Sequence, residues 1–312
     1  MTNHFSRKYE VFEMNNLEQY FIHPTERPVD DSEAKVDLIR SKDHPIISFF
    51  YESCFYRHDY EICDTVYALP YEEFFCFVST EDDYALGATL TIEIAGQTFV
   101  TDRCCFVRVP AFVPHGKISL TNMTTPVFSY VTGAGREHTS LPEYMWRPED
   151  VLPMEDMVMY NNSQTTRDPH KCEHQTLIIR STPGKNTKGE TSGSVRRYYK
   201  TPGWLYVDNA HLHPTPEILG YFGTDAWHPF ELGGSYSQGI NGQVFTFDKP
   251  TVVFLPPFVP HCPIVVHKLE KENFWHSAGL TTGPDTKTPG FDLKEFNVEN
   301  DEIKVVDMAE PW

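Results

Sequence analysis

Apolar and polar positions in this chain alternate with a period of two in short runs, and helical spacing is scarce. β-Branched and aromatic runs stand at 46–51, 74–78, 89–94 and 106–109. Alternation of that length predicts strands with a buried face. Turns containing Gly87 and Gly96 divide these runs, and 24 prolines with 18 glycines favour short strands and turns over long helices. Similar runs return at 176–180, 195–200, 204–208 and 274–279. The pattern predicts an all-β protein. Ahead of it, residues 1–45 are acidic and aperiodic, as in Pro28-Val-Asp-Asp-Ser-Glu-Ala-Lys35. This stretch reads as an arm that packs across the body or reaches a neighbouring subunit.

The strand pattern repeats. Ile94-Ala-Gly-Gln-Thr-Phe99 matches Ile240-Asn-Gly-Gln-Val-Phe245, and Pro110-Ala-Phe-Val-Pro-His115 matches Pro256-Pro-Phe-Val-Pro-His261, both at an offset of 146. In the same register Tyr130 falls opposite His276. Upstream, with two extra residues in the second copy's turn near Trp227, Glu73–Thr80 matches Glu217–Thr224. A shared register predicts two related units in tandem. The expected organisation is an arm (1–45), a first barrel (46–135), a connection (136–174), a second barrel (175–285) and a tail (286–312).

The second copy carries the densest chemistry. Trp204–Gly223 contains His211-x-His213-x3-Glu217. Residues two apart on a strand share a face, so both imidazoles reach one spot. Pro214 and Pro216 favour a turn that returns Glu217 alongside them. His261, at the end of a proline-bounded β-rich segment, would complete three histidines and one carboxylate. Imidazole and carboxylate without thiolate suit Fe, Mn, Ni, Cu or Zn better than Ca or Mg.

His211, His213, Glu217 and Gly223, followed by Pro256 and His261, resemble the two motifs of the cupin superfamily, whose members are small jelly-roll barrels. With the repeat, residues 46 to 285 resemble a bicupin, two such barrels in tandem. The resemblance implies one divalent transition metal per chain, iron first with manganese, nickel, copper and zinc open, held by His211, His213, Glu217 and His261. Cupins with this ligand set include iron or manganese dioxygenases, oxalate-type oxidases and decarboxylases, isomerases and lyases. The expected activity is that of a metal-dependent oxidoreductase, a dioxygenase on a small hydroxylated or enolisable organic acid or aromatic. A redox-neutral isomerase, decarboxylase or lyase is the second reading, and a non-catalytic small-molecule binding protein the third. In the first copy Tyr67 and Leu69 stand opposite His211 and His213, and Glu73 and His115 remain. Two protein ligands rarely hold a divalent ion, so that barrel reads as metal-free and structural unless His58, Asp59 or Tyr67 restores a distorted site.

His276 falls on a late strand that lines the cavity in cupins. It reads equally as a general base or substrate donor and as a satisfied buried histidine. Tyr206, Tyr221, Phe222 and Trp227 read as core before substrate shelf. His170, Cys172 and His174 would converge on an extended segment, but a fourth ligand is missing and an exposed turn is the better reading. The loop 181–194 reads as solvated surface before a lid bearing Lys185 or Lys188.

Composition narrows the partners. With 312 residues, 40% of them hydrophobic, the chain can bury a large core. A net charge of -18 disfavours nucleic acid and anionic membrane as partners. The N-terminus lacks a signal h-region and no run of about 18 apolar residues occurs, so a soluble, cytoplasmic enzyme is expected. Seven cysteines form no evident disulfide framework and read as reduced thiols. An exchanged arm covering a sheet edge would make the chain at least a dimer.

Overall fold

The computed structural model describes residues 16–24, 32–160, 175–181, 191–199, 205–208, 215–241 and 243–280. Its strands in chain order are β1 (Phe21–Ile22), β2 (Lys35–Arg40), β3 (Phe50–Tyr56), β4 (Tyr60–Tyr67), β5 (Glu73–Ser79), β6 (Ala85–Ile94), β7 (Gln97–Arg103), β8 (Cys105–Val109), β9 (His115–Thr121) and β10 (Val127–Gly133). They continue as β11 (Val158–Tyr160), β12 (Gln175–Ser181), β13 (Thr191–Tyr198), β14 (Leu205–Asp208), β15 (Glu217–Gly223), β16 (Gly234–Ile240), β17 (Gln243–Phe247), β18 (Thr251–Leu255), β19 (His261–Leu269) and β20 (Asn273–Leu280).

Two jelly-roll barrels result. The first joins the sheet β11-β8-β5-β10-β3-β2 to the sheet β4-β9-β6-β7, and the second joins β1-β18-β15-β20-β13-β12 to β14-β19-β16-β17. Each place in one order has its counterpart in the other. The repeat extends to the backbone: Ala95 (φ 49°) and Asn241 (φ 48°), then Phe112 (φ 67°) and Phe258 (φ 62°), are left-handed at the same offset. That region disfavours non-glycine residues, so the tandem units share the shape of their turns even where the residues differ.

The six-stranded sheets pack back to back. Every residue of β5 and β8 is buried, and all but the first of β15, because these strands are covered on both faces. Across this interface Phe128 stacks on its repeat partner Phe274 at 5.3 Å. Tyr130 stacks on its partner His276 at 4.6 Å. Equivalent residues meeting each other is the signature of an approximate two-fold relation. Gly220 permits the approach, since a Cβ there would lie 1.9 Å from Cε1 of His276. Buried Arg197 of the second barrel completes the junction, donating to Asp83 Oδ1 (2.7 Å) and the Ser79 carbonyl (2.9 Å).

The segment read as a separate arm serves both barrels of its own chain. β1 pairs with β18, Phe21 opposite Val253, and Leu17 is buried in the second barrel's core. β2 then pairs with β3 of the first barrel. The expected strand at 46–51 starts later, at Phe50, while Ile47 and Phe49 are buried ahead of it. The connection is less irregular than expected, for it includes a short helix, Met154–Met157, and β11, which pairs with β8. All six described cysteines are free thiols. Among the described residues no helix is long and apolar enough to cross a membrane.

Candidate metal centre

Alternation along β15 decides where Glu217 points. Leu219 and Tyr221 belong to the second barrel's interior with Tyr236, Val253 and Trp275, whereas Ile218 and Phe222 pack outward against the first barrel. Glu217 shares the parity of Leu219 and so faces inward. His261 opens β19 after the turn at Pro256–Pro260, and it is buried. Its Nδ1 lies 2.9 Å from the Val259 carbonyl, which places the hydrogen on Nδ1 and leaves the Nε2 lone pair facing the barrel interior. Nε2 stands 3.5 Å from Oε2 of Glu217, whose side chain is 19% exposed. An imidazole lone pair turned toward a carboxylate oxygen, with the other ring nitrogen tied to a carbonyl, is the donor arrangement of a metal-ligating histidine.

His211 and His213 lie outside the described residues, as do His170, Cys172, His174, Lys185, Lys188 and the tail from residue 281. Among the described residues no group of three or more His, Cys, Asp or Glu is arranged to hold a metal ion. Of the four expected ligands, the two that are described, Glu217 and His261, come together. Their chemistry fits a divalent transition ion.

His276 is not brought to them. It pairs with Gly220 across the sheet, on the parity opposite to Glu217, so its ring points out of the barrel into the inter-barrel packing. There it stacks on Tyr130, and at 5.7 Å on Phe222. Its Nε2 is hydrogen-bonded to the Tyr51 hydroxyl at 2.8 Å, and burial lowers its pKa to about 3. The expectation of a cavity-lining acid or base is corrected here: a strand buried on both faces sends alternate residues to two interiors, and His276 occupies the other one. Of the aromatics read as core, Tyr221 and Phe222 are buried, while Trp227 is 51% exposed with the Arg57 guanidinium 5.2 Å from its ring centroid.

The first barrel repeats the backbone device with other chemistry. The Nδ1 of His115 lies 2.9 Å from the Val113 carbonyl, as His261 does at Val259. Here, however, Nε2 is 2.7 Å from Oε2 of Glu73. Both ring nitrogens thus face oxygen atoms of the protein. Tyr67, at the place of His211, donates its hydroxyl to Oε2 at 3.0 Å. His138, a residue that the motif reading missed, donates Nε2–H to Oε1 at 3.1 Å. Burial alone would raise the Glu73 carboxyl. Hydrogen bonds and charge from His115 and His138 outweigh it and hold the carboxyl at about 2. The other groups named for this site serve elsewhere: His58 lies 5.6 Å from the ring of Trp227, and Asp59 accepts from the Met123 amide at 2.8 Å. No sequence signal marks His138, since it follows the last strand of its barrel and Pro284 stands at the repeat offset.

Solved structures share this fold. A variant of the Bacillus subtilis oxalate decarboxylase OxdC is 12% identical, with 84% of this chain and 76% of that chain covered and a TM-score of 0.51. A structure described for the Mn(II) centres of the same decarboxylase gives a TM-score of 0.50 at 12% identity, again over 84% and 76% of the two chains. AerE from Microcystis aeruginosa covers 98% of its own length against 83% of this chain, at 12% identity and a TM-score of 0.48. No protein-family model and no curated protein matches the chain. At such identity the likeness to the decarboxylase concerns the fold, and it agrees with the all-β, two-barrel architecture that the cupin resemblance implies.

Proposed function

We propose that the chain is a bicupin enzyme with one catalytic barrel, the second, which uses a divalent transition metal to act on a small hydroxylated or enolisable organic acid or aromatic. One observation carries this reading: His261, its Nδ1 bonded to the Val259 carbonyl, turns Nε2 toward the Glu217 carboxylate at 3.5 Å inside the barrel. His211 and His213, two apart and shortly ahead of Glu217 in the sequence, would supply the remaining imidazoles. A bound ion of the iron or manganese kind provides Lewis acidity toward a carboxylate or enolate oxygen and an electron for dioxygen. Glu217 lowers the charge of the assembly and favours its oxidised state. The apolar wall of Leu219, Tyr221, Val253 and Trp275 excludes water behind the ligands, which strengthens every electrostatic contact within.

The reaction class has two readings. Oxidation by dioxygen is the first. Redox-neutral decarboxylation is favoured by a specific observation, the fold shared with an oxalate decarboxylase over 84% of the chain. Protein purified without added ions, analysed for its metal and then assayed with oxalate and a panel of hydroxy acids and phenols, separates them: oxygen consumption supports the first, and carbon dioxide release without oxygen uptake the second. Glu217→Gln should weaken retention of the ion, and His261→Ala should abolish it while leaving the fold intact. Metal content unchanged in both variants would place the centre elsewhere.

A further inference from the structure

In the first barrel the carboxylate of Glu73 is surrounded by proton donors. Tyr67 and His115 donate to Oε2 and His138 to Oε1. The strands of the barrel hold Tyr67, Glu73 and His115, which are buried. His138 arrives from outside, on the stretch 134–147 that leaves β10 and runs back across this end of the barrel. That stretch is tied down along its length. The Phe50 amide donates to the Gly135 carbonyl (2.6 Å), the Leu141 amide to the Ala68 carbonyl (2.8 Å) and the Arg147 amide to the Phe112 carbonyl (2.8 Å). The Tyr71 hydroxyl donates to the Glu137 carbonyl (2.7 Å). Between these ties the His138 ring packs on Phe50 at 5.3 Å and edge-on to Tyr67 at 4.7 Å, with its side chain 36% exposed to solvent.

We propose that His138 is a proton-operated latch: as an imidazolium it supplies Glu73 with the positive charge that an ion would otherwise bring, and so fastens the inter-barrel connection 134–147 to the first barrel. A neutral His138 still donates one hydrogen bond, but the charge-assisted part of the clamp is gone. The groups that face it bear on the sign. Glu73 on β5 and, at longer range, Glu52 on β3 favour the cation, and His115 on β9 faces the same carboxylate. Tyr67 on β4 remains a neutral donor, and Tyr71 ties the loop through the Glu137 carbonyl. Arg136 and Glu137 flank the histidine in the chain with opposite charges. Burial works to lower the His138 pKa. The hydrogen bond and charge of Glu73 outweigh it and leave the pKa raised. A raised histidine stabilises the folded state fully below its ordinary value and loses that contribution as pH rises through the raised value. Glu73, near 2, stays ionised throughout this range.

The test is amide hydrogen exchange on the full chain between about pH 5 and pH 9, corrected for intrinsic rates, spanning the range over which histidine titrates. Protection of the Leu141 and Arg147 amides in the wild type should fall about tenfold with rising pH, as expected for loss of the charge-assisted part of one hydrogen bond. In His138→Gln the profile should be flat, at the level the wild type reaches at high pH. His138→Phe, which keeps the packing on Phe50 and Tyr67, should be flat as well. Amides of β15 and β18 report that both variants are folded. A flat wild-type profile, or a pH-dependent one in either variant, overturns the latch. So does a change in Leu141 and Arg147 protection when manganese is added to the His261→Ala protein, whose second barrel no longer retains the ion, because the Glu73 carboxylate would then be held by an ion and not by protons.

Discussion

A histidine stacked on its own repeat partner is a packing residue before it is anything else. His276 fills the space opposite Tyr130, and its Nδ1 is buried without a hydrogen-bond partner among the described residues. Truncation to alanine should cost about 2–4 kcal/mol, as for other large buried side chains, with the metal content unchanged. Denaturant titration with elemental analysis checks both. Replacing His276 and Tyr51 together by phenylalanine should restore most of that loss, because removing both partners of a buried bond leaves neither unsatisfied. The pair also predicts a pH effect. A histidine at about 3 when folded binds its proton more tightly when unfolded, so its neutral burial favours the fold above the ordinary histidine value. Below that value the advantage is lost at up to about 1.4 kcal/mol per pH unit. Between about pH 6.5 and pH 4 the wild type should therefore lose stability faster than the double phenylalanine variant, and equal slopes would contradict the assignment. That Glu217 and His261 approach each other was legible in the sequence, because the repeated motifs around them set both at matching places in the barrel. The side taken by His276 was not. β20 reads as apolar on both faces, and parity cannot tell a barrel's interior from a buried interface.

Strands long enough to show alternation were legible as elements, and short or polar ones were not. β5, β6 and β8 fall where the runs at 74–78, 89–94 and 106–109 predict them. β1 has two residues, and β2, Lys35-Val-Asp-Leu-Ile-Arg40, opens with alternating charges that resemble the acidic stretch before it. Each forms because a sheet edge is waiting: β18 offers its free side to β1, and β3 to β2. The consequence is measurable. Deleting residues 1–24 removes β1, the buried side chains of Leu17 and Ile22, and the hydrogen bond of His23 Nδ1 at the Pro250 carbonyl. Two buried aliphatic side chains are together worth roughly 3–6 kcal/mol. The truncated protein should unfold well below the wild type and, with the β18 edge uncovered, aggregate more readily. A deletion ending at residue 15 leaves these contacts and is the matched control. Equal thermal midpoints for the two deletions would show that the paired segment contributes nothing.

At the scale of the molecule, one offset organises the fold, from the ring stacking at the interface to the left-handed turns. The repeat was legible because turn motifs such as Pro110–His115 and Pro256–His261 retain most of their residues along with their backbone. That the two units meet through equivalent surfaces was not legible, since repetition in a chain does not fix how the copies face. Their packing leaves a continuous apolar cluster between them, in which Phe49 meets Phe254 and Phe128 meets Phe222 and Phe274. Such interpenetration couples the barrels in unfolding. An ion held in the second barrel alone should then stabilise the whole chain: at a free concentration one hundred times its dissociation constant the gain is about 2.7 kcal/mol. Chelation should accordingly lower the midpoint of one thermal transition by roughly 5 °C, without splitting it into two, and ion added back should reverse the shift. In His261→Ala the midpoint should ignore the chelator, whatever the truncation of this buried side chain itself costs. Calorimetry that resolves two transitions, with chelator moving one of them, would mean that the barrels unfold separately and that the shared apolar cluster is too weak to couple them.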